Sequence, residues 1–273
     1  MPKANVFFIS DHTAITVETL GLSVLTQFSN IEFKYKTIPF MNSQVKAASA
    51  VEAINGSCQT TGSTPVVFSS ITDSELLSTI KQSQGIVLDL FELFIPPLEN
   101  AFHESPIHAL GKSHSASDGQ RYGSRIDALN FALNSDDGIN FKDYERADLI
   151  LVGVSRTGKT PTCLYLALQY GVYVSNYPMT DEDLEITGLP KPLRPYRDKI
   201  HGLTIDPNQL HRIRQERRPG STYASLKQCY RETSAVEEMF LRENIPYLDV
   251  TNFSIEEIST TILYETGRQR SRI

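Results

Sequence analysis

Cysteine and long hydrophobic runs are both scarce in this chain of 273 residues. The three cysteines, Cys58, Cys163 and Cys229, are odd in number and far apart, so the sequence indicates neither a disulfide framework nor a zinc knuckle. No apolar stretch reaches the roughly 18 residues that a membrane-spanning helix needs. The apolar run near the N-terminus is too short for a signal peptide and predicts a first strand instead. These absences favour a cytoplasmic protein that has no membrane partner.

Basic charge is also in short supply. Lysine and arginine number 26 against 32 aspartates and glutamates, which gives a formal net charge of −6. A protein that binds nucleic acid without sequence preference needs a basic face to displace the counterions of the phosphates. The charge balance therefore argues against a nucleic-acid partner. The hydrophobic fraction of 40% is that of an ordinary globular chain, large enough for one large domain or two small ones.

The pattern of hydrophobic residues predicts two domains. In residues 1–105, strand-like runs alternate with segments of helical spacing, and this alternation predicts a parallel sheet covered by helices. Residues 106–124 lose this periodicity and are rich in Ser, Gly and His, which predicts a linker or mobile loop. A second strand–helix series fills residues 125–273, and Ser254 and Glu257 have the spacing of a capping box at the start of its last helix. We therefore predict an α/β protein made of two halves, each with a parallel-type sheet flanked by helices.

The strongest motif lies in the second half, between an apolar run and a helical segment. Gly153, Gly158, Lys159 and Thr160 match the phosphate-binding pattern G-x-x-x-x-G-K-[ST] at every fixed position. In such a P-loop the backbone N–H groups and the helix N-terminus bind phosphate, the lysine reaches the outer phosphate, and the hydroxyl is placed for Mg²⁺. The residues predicted to bind a nucleotide are Gly153, Val154, Ser155, Arg156, Thr157, Gly158, Lys159 and Thr160, with Thr160 also predicted as the metal ligand.

Phosphoryl transfer also needs an acidic residue, as a base or as a support for the metal. Asp89, Asp206 and Asp249 each end a predicted strand, where any of them could act, although an aspartate there more often caps the following turn. Asp11 ends the first strand at the edge where parallel sheets bind ligands, and an N-cap is its alternative role. The basic run 211–218 is either the solvent face of a helix or a receptor for a phosphate or carboxylate.

Five blocks of the sequence together carry a resemblance to a known family. They are ISDHTAITVETLG, GVSRTGKTPTCLYLA, HGLTIDPNQLHRIRQERR, YASLKQC and DVTNFSIEEISTTIL. They resemble the phosphoenolpyruvate synthase regulatory proteins, which are bacterial relatives of the pyruvate, phosphate dikinase regulatory protein. The resemblance runs nearly from end to end, and the irregular middle segment is its weakest part. The glycine–lysine pair in the loop and the helix after it look closer to the synthase-directed branch.

This resemblance implies a bifunctional regulator. Proteins of the family use ADP as the donor to phosphorylate a threonine near the catalytic phosphohistidine of their target, which inactivates the target. They reverse the modification by phosphorolysis, in which inorganic phosphate attacks the phosphothreonine and pyrophosphate forms. Carried over, residues 153–160 would hold ADP, and Lys159 with Mg²⁺ on Thr160 would neutralise the transferred phosphate. Asp11 or Asp206 would orient the threonine hydroxyl.

One position departs from the family pattern, which usually reads Asp-Gly-Thr where this chain has Asp11, His12 and Thr13. If the glycine allows a ligand to approach the backbone, His12 would obstruct it, whereas a purely geometric role would tolerate His12. Two other functions stay open from the sequence. One is an ATP-dependent small-molecule kinase, and the other is a nucleotide-sensing protein that performs no chemistry. The sequence also leaves open whether the chain forms a homo-oligomer.

Overall fold

The computed structural model describes residues 1–107, 118–136, 141–186 and 188–268. The chain divides into two compact units, Met1–Lys112 and Ser113–Ile273, and each is described by itself. Within the predicted linker, residues 108–117 lie outside the described part, and residues 118–124 are the first turns of a helix. The domain limits proposed from the sequence stay a prediction.

The first unit is a four-stranded sheet in the order β2-β1-β3-β4, and all neighbouring strands are parallel. Its strands are β1 (Lys3–Ser10), β2 (Glu32–Ile38), β3 (Val66–Ser70) and β4 (Ile86–Asp89). Its helices are α1 (Ile15–Leu25), α2 (Gln44–Thr61), α3 (Ser74–Ile80) and α4 (Leu90–Phe102).

Burial on both faces explains why the central strand β1 is an unbroken apolar run. Phe7 and Ile9 belong to one buried cluster, while Val6 and Phe8 belong to another on the opposite face. Successive side chains of a strand point to opposite faces, so a strand covered by helices on both sides needs apolar residues at every position. The prediction of a helix-covered parallel sheet is confirmed for this unit.

The second unit repeats this arrangement, with a four-stranded parallel sheet in the order β6-β5-β7-β8. Its strands are β5 (Leu149–Gly153), β6 (Val174–Pro178), β7 (Ile200–Thr204) and β8 (Tyr247–Asp249). Its helices are α5 (Asp118–Asn134), α6 (Lys159–Tyr170), α7 (Asp181–Glu185), α8 (Pro207–Arg217), α9 (Leu226–Arg242) and α10 (Ile255–Glu265). The α/β class with two parallel sheets is thus confirmed.

Some helix limits differ from expectation, and local chemistry explains them. The apolar run that predicts β4 continues into α4, which contains Pro96 and Pro97 and was not predicted because proline disfavours a helix interior. The helix α10 begins as expected, because Ser254 and Glu257 form a reciprocal capping box. No helix in the described parts of the chain combines the length and the apolar character that crossing a bilayer requires.

Candidate functional site

The loop after β5 has the strand before it and the helix after it that the motif requires. The strand ends at Gly153, and α6 begins at Lys159, with Gly158 as its N-cap residue. In the sheet, β5 lies between β6 and β7. From β5 the chain first adds β6 on one side and then returns to add β7 on the other side. The carboxyl end of such a strand is where open parallel sheets bind ligands. We refer to residues 153–160 as the glycine–lysine loop.

Glycine is favoured at the two glycine positions of the loop for different structural reasons. A Cβ on Gly153 would lie 2.3 Å from the carbonyl oxygen of Leu203, so the loop passes too close to β7 for any side chain. Gly158 has a φ of +80°, which glycine adopts without strain. Arg156 takes the same left-handed conformation with a φ of 81° although it has a side chain. Such a conformation costs a non-glycine residue about 1–2 kcal/mol.

Lys159 folds back over the loop instead of extending from it. Its Nζ donates to the carbonyl oxygen of Val154 at 2.8 Å, and only 4% of the residue is exposed. The hydroxyl of Thr157 donates to the same carbonyl at 3.1 Å. The ammonium is therefore held beside the backbone of the loop. If the loop binds phosphate as predicted, the phosphate would lie next to this ammonium.

A cavity of about 660 Å³, which we call the loop cavity, opens beside the loop. Its volume is that of a pocket for a small-molecule ligand. Four of its lining residues are cationic, and the described residues that line it include no carboxylate. The lining comprises Ser155, Arg156, Gly158, Lys159, Thr160, Pro161, Asn176, Pro178, Ile213, Arg217, Arg218 and Tyr223. In a chain of net charge −6, this concentration of positive charge favours an anionic ligand.

Thr160 belongs to a small cluster of polar side chains at one wall of the loop cavity. Its hydroxyl donates to Oδ1 of Asp136 at 2.9 Å. The amide Nδ2 of Asn176 donates to the same carboxylate oxygen at 2.6 Å and to the Thr160 hydroxyl at 3.0 Å. The Oδ1 atom of Asn176 is buried and accepts no hydrogen bond from a described residue.

This cluster fits the metal that the motif implies. Mg²⁺ prefers oxygen ligands from one or two carboxylates and the substrate phosphates, and a hydroxyl and a carboxylate oxygen meet here. The described residues contain no group of three or more His, Cys, Asp or Glu side chains that could hold a metal on its own. A magnesium site would therefore consist of Thr160 and Asp136 completed by phosphate oxygens.

A buried ion pair holds the tip of the glycine–lysine loop against α8 and α9. Arg214 on α8 is fully buried and donates to Glu232 at 2.6 Å, to the Ser155 carbonyl at 3.0 Å and to the Tyr223 carbonyl at 3.1 Å. Its guanidinium carbon lies 4.2 Å from the centre of the Tyr223 ring. The Tyr223 hydroxyl is 2.9 Å from Oγ of Ser155. These contacts fix two lining residues of the loop cavity, Ser155 and Tyr223.

Burial raises the pKa of the Cys163 thiol on α6, and the charge of Asp136 adds to that rise while Lys159 opposes it. The thiol therefore stays protonated near neutral pH. A thiolate, and not a thiol, is the nucleophile in cysteine chemistry. Cys163 is accordingly a packing residue beside the site and not a nucleophile.

The carboxylates predicted in the second unit, Asp206 and Asp249, are not among the described residues that line the loop cavity. Asp206 is the N-cap residue of α8, where its Oδ1 accepts from the backbone N–H groups of Asn208 and Gln209, and it does not line the cavity. Asp249 accepts two bonds from Thr251 in the turn after β8. Both side chains make the capping interactions that were the alternative reading of the sequence. A catalytic role of Asp206 stays a prediction.

Asp11 lies in the other unit, and its carboxylate anchors a neighbouring loop. Oδ2 accepts from the backbone N–H of Thr72 at 2.8 Å and from its hydroxyl at 2.6 Å. Burial alone would raise the pKa of Asp11, but hydrogen bonds from His12 and Thr72 outweigh it and leave the pKa below its usual value. Its proposed role in orienting a threonine hydroxyl stays a prediction.

His12 does not occupy a conformation that requires glycine. The left-handed residue of this loop is Ala14, with a φ of 64°, and His12 is absent from the positive-φ residues. The ring nitrogen Nδ1 of His12 lies 3.0 Å from the Asp11 carboxylate. Backbone geometry therefore tolerates histidine where the family usually has glycine.

Sequence reasoning missed Asp136, Asn176 and Tyr223. Asp136 follows a helix, whereas the carboxylates predicted from the sequence all lie at the ends of strands. Asn176 lies inside β6, where its amide had no visible partner in the sequence. A useful signal was available for Asn176, because a polar amide within a buried parallel strand needs a hydrogen-bonding partner.

The fold and the site define a class of protein, and comparison with known families gives that class a name. The sequence model of the kinase/pyrophosphorylase family matches residues 6–263, which is nearly the whole chain. The chain therefore belongs to this family and is a phosphotransferase. Nucleotide use follows from membership of a kinase family.

The most similar relatives reported are bacterial proteins that carry the provisional name phosphoenolpyruvate synthase regulatory protein. One from Legionella pneumophila (strain Corby) is 50% identical over 268 residues, covering 98% of this chain and 99% of the relative. One from Hahella chejuensis is also 50% identical, with 98% of each chain covered. A third, from Pseudomonas aeruginosa, is 49% identical over the same shares. The family expected from the sequence blocks is thus confirmed.

Proposed function

We propose that this chain regulates phosphoenolpyruvate synthase by reversible phosphorylation of a threonine, with ADP as the phosphoryl donor and inorganic phosphate as the acceptor in the reverse direction. Family membership and the names of relatives that are half identical support the target and the two activities. We place the protein in the cytoplasm, acting on a protein and not on nucleic acid or membrane. The observation that carries the proposal is the glycine–lysine loop, which turns Lys159 toward its own backbone in a cavity where every charged lining residue that the structure describes is a cation.

In the kinase direction, the threonine oxygen attacks the β-phosphorus of ADP. The bond from that phosphorus to the oxygen bridging to the α-phosphate breaks, AMP leaves, and the threonine proton passes to a base. Asp11 and Asp206 are the candidates for that base from the sequence. Positioning and charge stabilisation supply most of the catalysis in such transfers. Lys159 and the backbone N–H groups of the loop would stabilise the charge that develops on the β-phosphate.

In the reverse direction, an oxygen of inorganic phosphate attacks the phosphorus of the phosphothreonine. The bond from phosphorus to the threonine oxygen breaks, that oxygen takes up a proton, and pyrophosphate is released. Mg²⁺, held by Thr160 and Asp136, would add positive charge beside the phosphates when bound. The same loop would serve both directions, because both pass through a transferred phosphoryl group.

Lys159→Ala tests this proposal. We expect the variant to lose about 100-fold to 1,000-fold of its phosphorylation rate, because one preorganised cationic donor is removed from the transferring group. The measurement is transfer of label from ADP labelled in its β-phosphate to phosphoenolpyruvate synthase, together with AMP formation. Lys227→Ala is the matched control, since Lys227 is exposed on α9 and does not line the loop cavity.

Three outcomes would contradict the proposal. Undiminished transfer by Lys159→Ala would remove the role of the loop. Transfer from ATP to a metabolite, with no labelled protein, would favour a small-molecule kinase. Nucleotide binding by the wild-type chain without AMP release would favour a nucleotide sensor.

A further inference from the structure

Three guanidinium groups in the wall of the loop cavity have no ion-pair partner among the described residues. Arg156, Arg217 and Arg218 all line the cavity, together with Lys159. Some other arginines of this unit pair with a carboxylate, as Arg231 does, while the exposed Arg212 does not, so the distinguishing feature of the three is that they are grouped in one cavity. Unpaired cations grouped in one cavity indicate an anionic ligand that is itself the partner.

The end of α8, which carries the exposed side chains of Arg217 and Arg218, is tied to the glycine–lysine loop. Arg217 is the last residue of α8, and Arg218 is its C-cap with φ −140° and ψ 75°, so the chain turns away from the helix there. One turn earlier, the buried Arg214 bonds the Ser155 carbonyl of the loop. The two terminal arginines are therefore tied to the loop through the body of α8.

The position of this pair is not explained by helix electrostatics alone. Cations near a helix C-terminus interact favourably with its partial negative charge. This favourable interaction requires only that a cation lies near the last turn of the helix. Arg214 and one further cation would be enough to provide it. It does not account for two arginines in the wall of a cavity that also contains Lys159 and Arg156.

We propose that Arg217 and Arg218 form a second anion subsite in the loop cavity, which binds a phosphate group other than those of the nucleotide. The inference rests on the proposed function. Phosphorolysis requires two phosphates side by side, one that attacks and one that is attacked, and each carries a charge of about −1.5 to −2 at pH 7. Lys159 and the loop N–H groups serve one of them. The planar fork of arginine matches the oxygens of the other.

Two sources could supply the second phosphate, namely free inorganic phosphate and the phosphothreonine of the target protein. Both present the same oxygens to the arginines. The loop would bind whichever of the two the subsite does not. The experiment therefore measures affinity for each source separately.

The test uses the full-length chain with both arginines replaced, Arg217→Ala with Arg218→Ala, and isothermal calorimetry with three probes. The probes are ADP, inorganic phosphate and phosphorylated phosphoenolpyruvate synthase. We expect ADP affinity within about threefold of wild type and a loss of at least tenfold for one phosphate probe, about 1.4 kcal/mol. Loss for inorganic phosphate identifies the attacking phosphate as the occupant, and loss for the phosphoprotein identifies the phosphothreonine.

Arg212→Ala is the matched control, because Arg212 is exposed on the same helix and does not line the loop cavity. It removes one positive charge and should leave all three affinities unchanged. Replacement of both subsite residues by lysine keeps the charge but removes the fork, and we expect an intermediate loss for the affected probe.

Two results would overturn the subsite. One is unchanged affinity of the double alanine variant for both phosphate probes. The other is an equal loss for ADP, which would make the pair part of the nucleotide site. Because binding is measured without turnover, a wild-type chain that releases no pyrophosphate would contradict the proposed function and still leave the calorimetric comparison decisive for the subsite.

Discussion

The two halves of the molecule share a strand order but differ in the loop that follows the first strand of each sheet. The sheets read β2-β1-β3-β4 and β6-β5-β7-β8, which correspond strand by strand. After β1, the charged side chain is Asp11, and both oxygens of its carboxylate make hydrogen bonds, one to His12 and the other to Thr72. After β5, the charged side chains are cations that line a cavity.

This difference shows that the sheet supplies a place for a site and the loop decides its chemistry. Both loops contain one non-glycine residue in the left-handed region, Ala14 in the first and Arg156 in the second. The strand before the first loop ends at Ser10, whereas the strand before the second loop ends at Gly153. Exchanging such residues between the halves tests whether each loop is fitted to its own surroundings.

The largest effect is expected from Gly153→Ser, which places the residue of the first loop in the second. The new Cβ would lie 2.3 Å from the Leu203 carbonyl oxygen, and a backbone atom cannot move aside as a side chain can. We expect a loss of about 3 kcal/mol in the free energy of unfolding, at the upper end for overpacked sites. Urea titration followed by far-ultraviolet circular dichroism measures it.

The reciprocal change is the control. Ser10→Gly removes a hydroxyl that accepts from the His12 N–H at 3.1 Å and from the Ser70 hydroxyl at 3.0 Å. It should cost about 2 kcal/mol, since two hydrogen bonds of about 1 kcal/mol each are lost, which is less than the cost of Gly153→Ser. Equal losses for the two variants would show that close approach to β7 does not distinguish the loops.

Much of the fold could be predicted from the sequence because its signals are local. Apolar runs gave the strands, and the Ser254–Glu257 spacing gave the start of α10. The helix α4 was not predicted because Pro96 and Pro97 disfavour a helix in the sequence, although both lie inside α4 in the structure. Local propensity is a weak prior that tertiary context overrides.

The candidate site divides in the same way. The glycine–lysine loop is contiguous in sequence, so its residues could be found together. Asn176 and Arg217 line the same cavity from other segments of the chain, and Asp136 bonds Thr160 from a third, so only the fold brings them to the loop. Asp206 was a reasonable candidate at a strand end, but the sequence could not show that its carboxylate caps α8.

A smaller effect, and one that depends on pH, is expected from Asp11→Asn in the first loop. The carboxylate accepts two bonds from Thr72, and its removal should cost about 1–2 kcal/mol at neutral pH. Hydrogen bonding keeps the folded-state pKa of Asp11 below its usual value despite burial. Its contribution is therefore present above the unfolded-state pKa of about 3.9 and is lost as the pH falls through the lower folded-state pKa.

Urea titrations of wild type and Asp11→Asn between pH 7 and pH 3 measure this dependence. The two unfolding free energies should differ most at pH 7 and converge toward pH 3. A difference that stays constant over this range would mean that the charge of Asp11 does not stabilise the first loop.

The smallest effect on stability, and the sharpest contrast between the loops, comes from placing glycine at the two left-handed positions. Ala14→Gly and Arg156→Gly each relieve about 1–2 kcal/mol of backbone strain. Each also adds about 0.4–1 kcal/mol of unfolded-state entropy, so the net gain in stability should be about 0.5–1 kcal/mol for both.

Activity should separate these two variants where stability does not. Ala14→Gly should leave transfer from ADP unchanged, whereas Arg156→Gly should lose at least about tenfold if, as we propose, this arginine of the cavity wall stabilises the transferring phosphoryl group. Arg156→Lys keeps a cation and the strained backbone, so it should retain more activity than Arg156→Gly without the gain in stability. Equal activity of Arg156→Gly and wild type would show that the strain at this position serves the geometry of the loop and not the charge of its side chain.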